Sequence, residues 1–213
     1  MTHFMAVKIH YDHRLRLQAH LKYSDVPRGS EYQEYLDLYR EKGIGGEGFH
    51  ECLNFWKPEG EPVRLYLPPN YRPHASRLDD DFMIFSFTYQ SDEELPSHII
   101  GVHAGAWILS ADGITRKGMQ KIQAAEPLEY HAEAPAELVT LLNPPLTHDP
   151  QAGMYTPVFA RWNNGLRYIT ETHARKILDD ALLLATTALP SLDVSARLLT
   201  EKQIEILNKI QDR

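Results

Sequence analysis

The chain has 213 residues, 43% of them hydrophobic and 24% charged, and its formal net charge is -7. This composition is that of a globular protein and excludes fibrous, disordered and low-complexity classes. Proteins that coat nucleic acid through phosphate contacts alone are usually basic, so the charge also argues against non-specific nucleic-acid binding.

The cellular compartment is predicted from three further features. No apolar run approaches the roughly 18 residues that a membrane span needs, so no membrane partner is expected. Residues 1–11 lack the apolar stretch and cleavage site of a secretory signal. Cys52 is the one cysteine, which excludes an intramolecular disulfide. These features together predict a cytoplasmic protein.

The first quarter of the chain is predicted to contain a strand, a helix and a second, short strand. Apolar and polar residues alternate over 7–11, which indicates a strand. Ser30 and Gly43 fit the start and the end of a helix over 31–42. The short apolar segment 53–56 indicates the second strand.

Strand patterns continue through the middle of the chain. Residues 63–67 alternate, and the segments 82–89 and 98–109 are rich in aromatic and β-branched residues. Gly101 and Gly105 lie inside the last of these segments. Glycines at such positions predict bulges, or a place where a ligand or another backbone comes close.

Predicted elements in the third quarter are shorter. Residues 114–123 could form a helix, and 138–142 are ambiguous between helix and strand and are followed by two prolines that should stop them. The segments 155–160 and 166–169 are predicted as strands around an Asn-Asn-Gly turn.

The last part of the chain is predicted to be helical. Thr170 is a plausible N-cap for an amphipathic helix over 171–189. Thr200 would cap a final helix over 201–211.

The sum of these elements predicts an α+β fold. Regular β–α alternation is missing, so we expect a small, strongly bent mixed sheet or barrel with flanking N- and C-terminal helices. The predicted organisation is one α+β domain over residues 1–170, with a C-terminal helical extension over 171–213 packed on it.

Common local signatures of catalysis and cofactor binding are absent from the sequence. The Gly-x-Gly-x-x-Gly letters at 43–48 follow a helix instead of a strand, so they do not predict a dinucleotide site. His50-Glu51 begins a zinc-helix motif, but Asn54 stands where the second histidine would be. We therefore expect a binding module with no cofactor and no metal.

Aromatic side chains on the predicted strands offer the clearest indication of a ligand. Phe85, Phe87 and Tyr89 share one face of their strand by the two-residue period. Rings of this kind can form the core or line a pocket for a flat ligand. A nucleobase suits such a pocket, because stacking on aromatic rings contributes about 1–3 kcal/mol per base, and Asn54 or Ser86 could bind its polar edge.

Three segments carry a family resemblance over about residues 50–110. They are 54–58 (Asn-Phe-Trp-Lys-Pro), the strand that ends in Phe85 and Phe87, and 99–107 (Ile-Ile-Gly-Val-His-Ala-Gly-Ala-Trp). Their order resembles PUA-like domains, and more narrowly the EVE-type readers and the N-terminal reader domains of bacterial HNH-type restriction endonucleases.

The resemblance implies a small bent barrel that recognises a modified or flipped base. No HNH half is present, so cleavage does not carry over, and Thr88 stands where the readers tend to have a lysine. The resemblance and the aromatic pattern together predict a pocket of six residues: Asn54, Trp56, Phe85, Phe87, Trp107 and Trp162. Four cations are predicted to contact the nucleic-acid backbone: Lys57, Arg116, Lys117 and Lys121.

The predicted function is that of a reader of nucleic acid carrying a modified base, with DNA favoured over RNA, in a restriction or defence system. A nuclease or NTPase on another chain would be its partner. Two alternatives remain open. One is a hydrolase acting on a nucleoside-like molecule, with Glu51, His98 or His103 as general base. The other is an interaction or oligomerisation module that uses the helix over 171–189.

Overall fold

The computed structural model of the chain describes residues 2–9, 53–57, 59–67, 73, 80–88, 97–110, 112–116, 129–149, 151–158 and 166–213. Within these ranges the strands are β1 (Thr2–Ile9), β2 (Val63–Leu65), β3 (Asp81–Thr88), β4 (Ser97–Ile108), β5 (Ile114–Thr115), β6 (Glu129–Tyr130), β7 (Ala132–Ala134), β8 (Val139–His148) and β9 (Leu166–Tyr168). The helices are α1 (Glu171–Ala188) and α2 (Val194–Gln211). Short 3-10 turns cover Leu53–Phe55, Ala136–Leu138 and Leu189–Ser191.

Seven of the strands form one mixed sheet. Its order is β2-β7-β4-β3-β1-β9, and β8 pairs with β4. The pair β1–β3 is parallel, with Thr2 opposite Asp81 and Ile9 opposite Thr88, and the other pairs are antiparallel. β5 and β6 form a separate two-stranded sheet. The α+β prediction with a mixed sheet is thus confirmed, and the strands of the described ranges do not close into a barrel.

Alternation along the strands sends side chains to two cores, one on each face of the sheet. The far-side core contains Phe82 and Ile84 of β3, together with Phe55. The helix-side core contains Phe85 and Phe87 of the same strand, packed with residues of α1 and α2. The two C-terminal helices therefore cover one face of the sheet.

Caps explain where the two helices begin. At α1 the hydroxyl of Thr170 accepts a hydrogen bond from the backbone N–H of His173, which confirms the predicted cap. α2 begins at Val194, earlier than predicted, because Asp193 Oδ1 accepts from the N–H of Ala196 at 2.8 Å. Thr200 lies inside the helix, where its hydroxyl donates to the Ala196 carbonyl.

Several predicted elements differ in the structure. Residues 53–55 form a 3-10 turn instead of a strand, and Ile114–Thr115 are a short strand instead of the start of a helix. Residues 155–158 are bend and turn. The helix over 31–42 lies outside the described residues.

The strand β8 continues through Pro144 and Pro145, which were expected to stop it. Its pairing with β4 shifts register between Ile99 and Gly101, which leaves the proline segment outside the ladder. A proline in this position removes no ladder hydrogen bond, so the strand tolerates both.

The register between β3 and β4 shifts beside each of the two glycines in β4, which confirms the predicted bulges. Gly101 is approached by the ring of Phe55, and Gly105 has a positive φ of 63°. Neither of the two described helices is long and apolar enough to cross a membrane.

Candidate functional site

Asn54, a predicted pocket residue, is a buried structural clamp. Its side-chain oxygen accepts from the N–H of Tyr66 at 2.6 Å, and its Nδ2 donates to the Tyr66 carbonyl at 3.1 Å. The Asn54 carbonyl accepts from Nε2 of His103 at 2.6 Å. These bonds fix the 3-10 turn against the end of β2 and to β4. A ligand could use this amide only if they broke.

The rings of Phe85 and Phe87 are buried in the helix-side core, with 1% and 2% of each residue exposed. This position follows from the packing of α1 and α2 on their face of β3. A base could stack on either ring only if the core opened, so these two phenylalanines contribute to packing in the structure as it stands.

The three tryptophans have different surroundings. Trp56 is half-buried and packs against the far-side core. Trp162 lies outside the described residues. Trp107 is 37% exposed, which makes it the most accessible predicted pocket residue in the described part of the chain.

Trp107 stands in a row of side chains across three strands. It is opposite Glu133 of β7, and Glu133 is opposite Arg64 of β2. The guanidinium of Arg64 donates through Nε to Glu133 Oε1 at 3.1 Å and contacts Glu61 at 2.7 Å. Because paired residues point to the same face, an indole, a carboxylate and a guanidinium are presented side by side. We call this the Trp107 surface.

Lys57, a predicted backbone-contact residue, is half-buried and donates through Nζ to the Val139 carbonyl. Burial, with a contribution from Lys202, lowers its pKa to about 8. Its ammonium group is thus held by the fold, and burial makes its proton easier to lose than that of an exposed lysine.

Arg116, the second predicted cation, is 2% exposed. Its Nη2 donates to the Arg64 carbonyl at 2.8 Å, and its guanidinium lies 5.6 Å from the centre of the Tyr130 ring. A phosphate could not reach this group without a rearrangement. Lys117 and Lys121 lie outside the described residues.

The two described candidates for a general base are buried or half-buried. His103 is fully buried, and burial lowers its pKa to about 3. His98 is half-buried on β4, and Glu51 lies outside the described residues. The hydrolase alternative gains no support from this placement.

Stability is expected to depend on pH through His103 and His148. Burial lowers their pKa values from an ordinary 6.5 to about 3 and about 4. The unfolded state therefore binds more protons below pH 6.5. The free energy of unfolding should be highest above pH 6.5. As the pH decreases below that value it should fall, by up to about 1.4 kcal/mol per pH unit for each histidine.

Urea unfolding of the natural protein and of His103→Gln at pH values from 7.5 to about 4 measures this effect. The glutamine variant keeps a donor for the Asn54 carbonyl but has no titrating group. Its stability should fall less steeply on acidification. Identical slopes in the two proteins would contradict the assignment.

A cluster of polar side chains packed next to Phe87 could not be recognised from the sequence. The ring of His148 lies 6.0 Å from that of Phe87 and 6.2 Å from that of Tyr155. The Tyr155 hydroxyl donates to Asp180 Oδ2 at 2.8 Å, and Arg167 donates to the Pro157 carbonyl at 3.3 Å. These residues come from β8, a loop, β9 and α1, so no local pattern in the sequence relates them.

A cavity of about 720 Å³ lies between the sheet and the two helices. Its lining includes Phe4, Met83 and Ala104 from the sheet and Arg213 after α2. None of the five predicted pocket residues that the structure describes lines it. Its volume is within the range of about 300–1,000 Å³ typical of small-molecule sites.

The described residues form no metal cluster, and comparisons with known proteins found no relative. No cluster of three or more histidine, cysteine, aspartate or glutamate side chains suited to a metal occurs in the described ranges. No family model matches the chain, and neither a curated protein nor a solved structure matches it. The PUA-like resemblance therefore rests on the sequence segments alone.

Proposed function

We propose that the chain is a non-catalytic binding module that contacts a modified or flipped base of a nucleic acid, with DNA favoured over RNA. The proposal depends mainly on one observation, the exposure of Trp107 beside Glu133 and Arg64. A nuclease or NTPase on another chain would act on what the module recognises.

The chemistry of the Trp107 surface suits the edge and the face of a base. An exposed indole provides a stacking face worth about 1–3 kcal/mol per base. A carboxylate accepts from an exocyclic amine such as that of cytosine, and a guanidinium donates to ring or carbonyl acceptors. Glu133 and Arg64 already hold each other in place, so the polar groups are oriented before a ligand arrives.

The acidic net charge agrees with recognition that depends on the base more than on phosphate contacts. Two of the four predicted phosphate contacts, Lys57 and Arg116, are held within the fold by backbone carbonyls. We therefore expect modest affinity, a shallow salt dependence and a clear preference among bases.

A PUA-like arrangement of the mixed sheet is part of this proposal, and it rests on the three sequence segments described above. The interaction-module alternative is less favoured, because the apolar stripe of α1 packs on its own sheet: Ala174, Ile177, Leu178, Ala181 and Ala185 are buried.

Replacing Trp107 with alanine should weaken oligonucleotide binding by about tenfold, since one stacking contact is lost. Fluorescence anisotropy with modified and unmodified oligonucleotides, over a salt series, measures the effect. Tyr168→Ala is the matched control. Tyr168 is 40% exposed, and because it pairs with Met5 of the far-side core, its side chain points to the far side of the sheet. Trp107 lies in sequence between two residues of that core, so its side chain points to the opposite face.

The control should bind like the natural protein. An unchanged affinity of Trp107→Ala, or an equal loss in the two variants, would contradict the proposal. Weak binding to all oligonucleotides that disappears with salt would also count against a reader.

A further inference from the structure

The cavity between the sheet and the helices, here called the helix–sheet cleft, has an apolar interior. Six of its lining residues are apolar side chains of the two layers: Phe4, Met83, Ala104, Ala174, Leu178 and Ile210. All six belong to the helix-side core or pack against it, and they form the apolar part of the cleft wall. An apolar body in the cleft would contact this wall.

The rim of the cleft carries charges of both signs. Arg175 and Glu171 form an ion pair at 2.7 Å, which leaves Asp81, Asp179 and Arg213 to determine the net charge. The described residues provide no ion pair for Asp81 or Asp179. The described residues of the rim thus carry an excess of one negative charge.

Both of these carboxylates are oriented by neutral donors. The Thr2 hydroxyl donates to Asp81 Oδ2 at 2.8 Å, and Gln211 Nε2 donates to Asp179 Oδ1 at 2.7 Å. A neutral donor fixes a carboxylate without cancelling its charge. Each group can therefore still attract a cation in the cleft.

The cleft already accommodates a cationic group of the chain itself. The guanidinium of Arg213 lies against Gly105, where a Cβ atom would come within 2.3 Å of its Nη1. Because Gly105 has no side chain, the guanidinium of Arg213 can lie on the floor of the cleft. A planar cation fits between the strand and the helix end.

We propose that the helix–sheet cleft binds a small organic cation, an apolar body that carries a protonated amine. The body would lie on the apolar interior, and the ammonium group would bind between Asp81 and Asp179. Arg213 opposes this ligand by its charge and its position. The site is separate from the Trp107 surface and has no role in the base recognition proposed above.

Three probes with the same phenyl-ethyl body test the sign of the charge. They are 2-phenylethylammonium, 2-phenylethanol and 3-phenylpropionate, titrated into the full chain by isothermal calorimetry or ligand-observed NMR. The amine should bind most tightly and the carboxylate most weakly. Equal or tighter binding of the carboxylate, or no saturable binding of any probe, would overturn the proposal.

Two variants with opposite expected effects locate the site. Asp179→Asn removes one charge and should weaken amine binding by about three- to tenfold. Arg213→Ala removes the opposing charge and should strengthen it. Asp112→Asn, in an exposed loop away from the cleft lining, is the control and should leave affinity unchanged.

Thermal melting confirms that each variant is folded. Asp81→Asn serves as a second acidic variant if Asp179→Asn fails to fold. An amine affinity that is indifferent to the acidic variants, or one that falls in Arg213→Ala, would overturn the assignment. No nucleic acid is present in these titrations, so their failure leaves the proposal for the Trp107 surface intact.

Discussion

Replacing Gly101 with alanine is expected to lower the free energy of unfolding by about 2–3 kcal/mol, the upper part of the range for overpacked cores. A Cβ atom at this position would lie 2.3 Å from two carbons of the Phe55 ring and 2.9 Å from the Thr140 carbonyl oxygen. Phe55 is 2% exposed, and Thr140 is paired with Val102 in the ladder, so neither neighbour can move freely. Urea unfolding monitored by circular dichroism measures the loss.

Gly60→Ala is the matched control. Gly60 has a positive φ of 72°, but no atom lies within 4 Å of the place that an alanine Cβ would take, so its cost is backbone strain of about 1 kcal/mol. The double variant with Phe55→Leu should recover part of the loss at Gly101. A loss at Gly101 no larger than that at Gly60 would contradict the described packing.

Asn54→Ala is expected to destabilise the protein by about 2–4 kcal/mol, because it leaves two buried backbone groups of Tyr66 without the side chain that satisfies them. Asn208→Ala, on the exposed face of α2, is the control and should change stability by less than about 0.5 kcal/mol. Chemical unfolding of the three proteins at pH 7.5 measures the difference.

The same variant separates a structural role for Asn54 from the ligand contact predicted in the sequence. Under the structural role, binding measured at a temperature where the variant is folded should be unchanged. A variant that is fully stable but has lost oligonucleotide binding would restore Asn54 to the binding site.

Elements with strong local patterns could be predicted from the sequence. β3 and β4 show clear strand character over 82–89 and 98–109, and their observed bounds differ from these by one residue at each end. The apolar stripe of α1 and Thr170 at its start likewise predict that helix. In each case neighbouring residues carry the information, and the period of the pattern specifies the element.

Elements that depend on distant contacts could not be predicted in this way. The turn at Leu53–Phe55 is fixed by Asn54 bonds to Tyr66 and His103, which lie far along the chain. β8 passes through two prolines because of where its pairing with β4 shifts register. Neither fact is visible in a local window.

The candidate site shows the same division. Alternation correctly placed Phe85 and Phe87 on one face, but it could not tell whether that face would be open or covered. The helices cover it, and the rings are core. Trp107 points to the same face and is nevertheless exposed, so the helix cover does not extend over that end of β4.

We propose that a base binds this protein at Trp107, and fluorine NMR tests this contact most directly. Incorporation of 5-fluorotryptophan gives one fluorine signal for each of the three tryptophans, and substitution of each by phenylalanine assigns them. On titration with a modified oligonucleotide, the Trp107 signal should shift the most and that of Trp56 should stay nearly constant. A shift confined to Trp56 or Trp162, with Trp107 unmoved at saturation, would contradict the account.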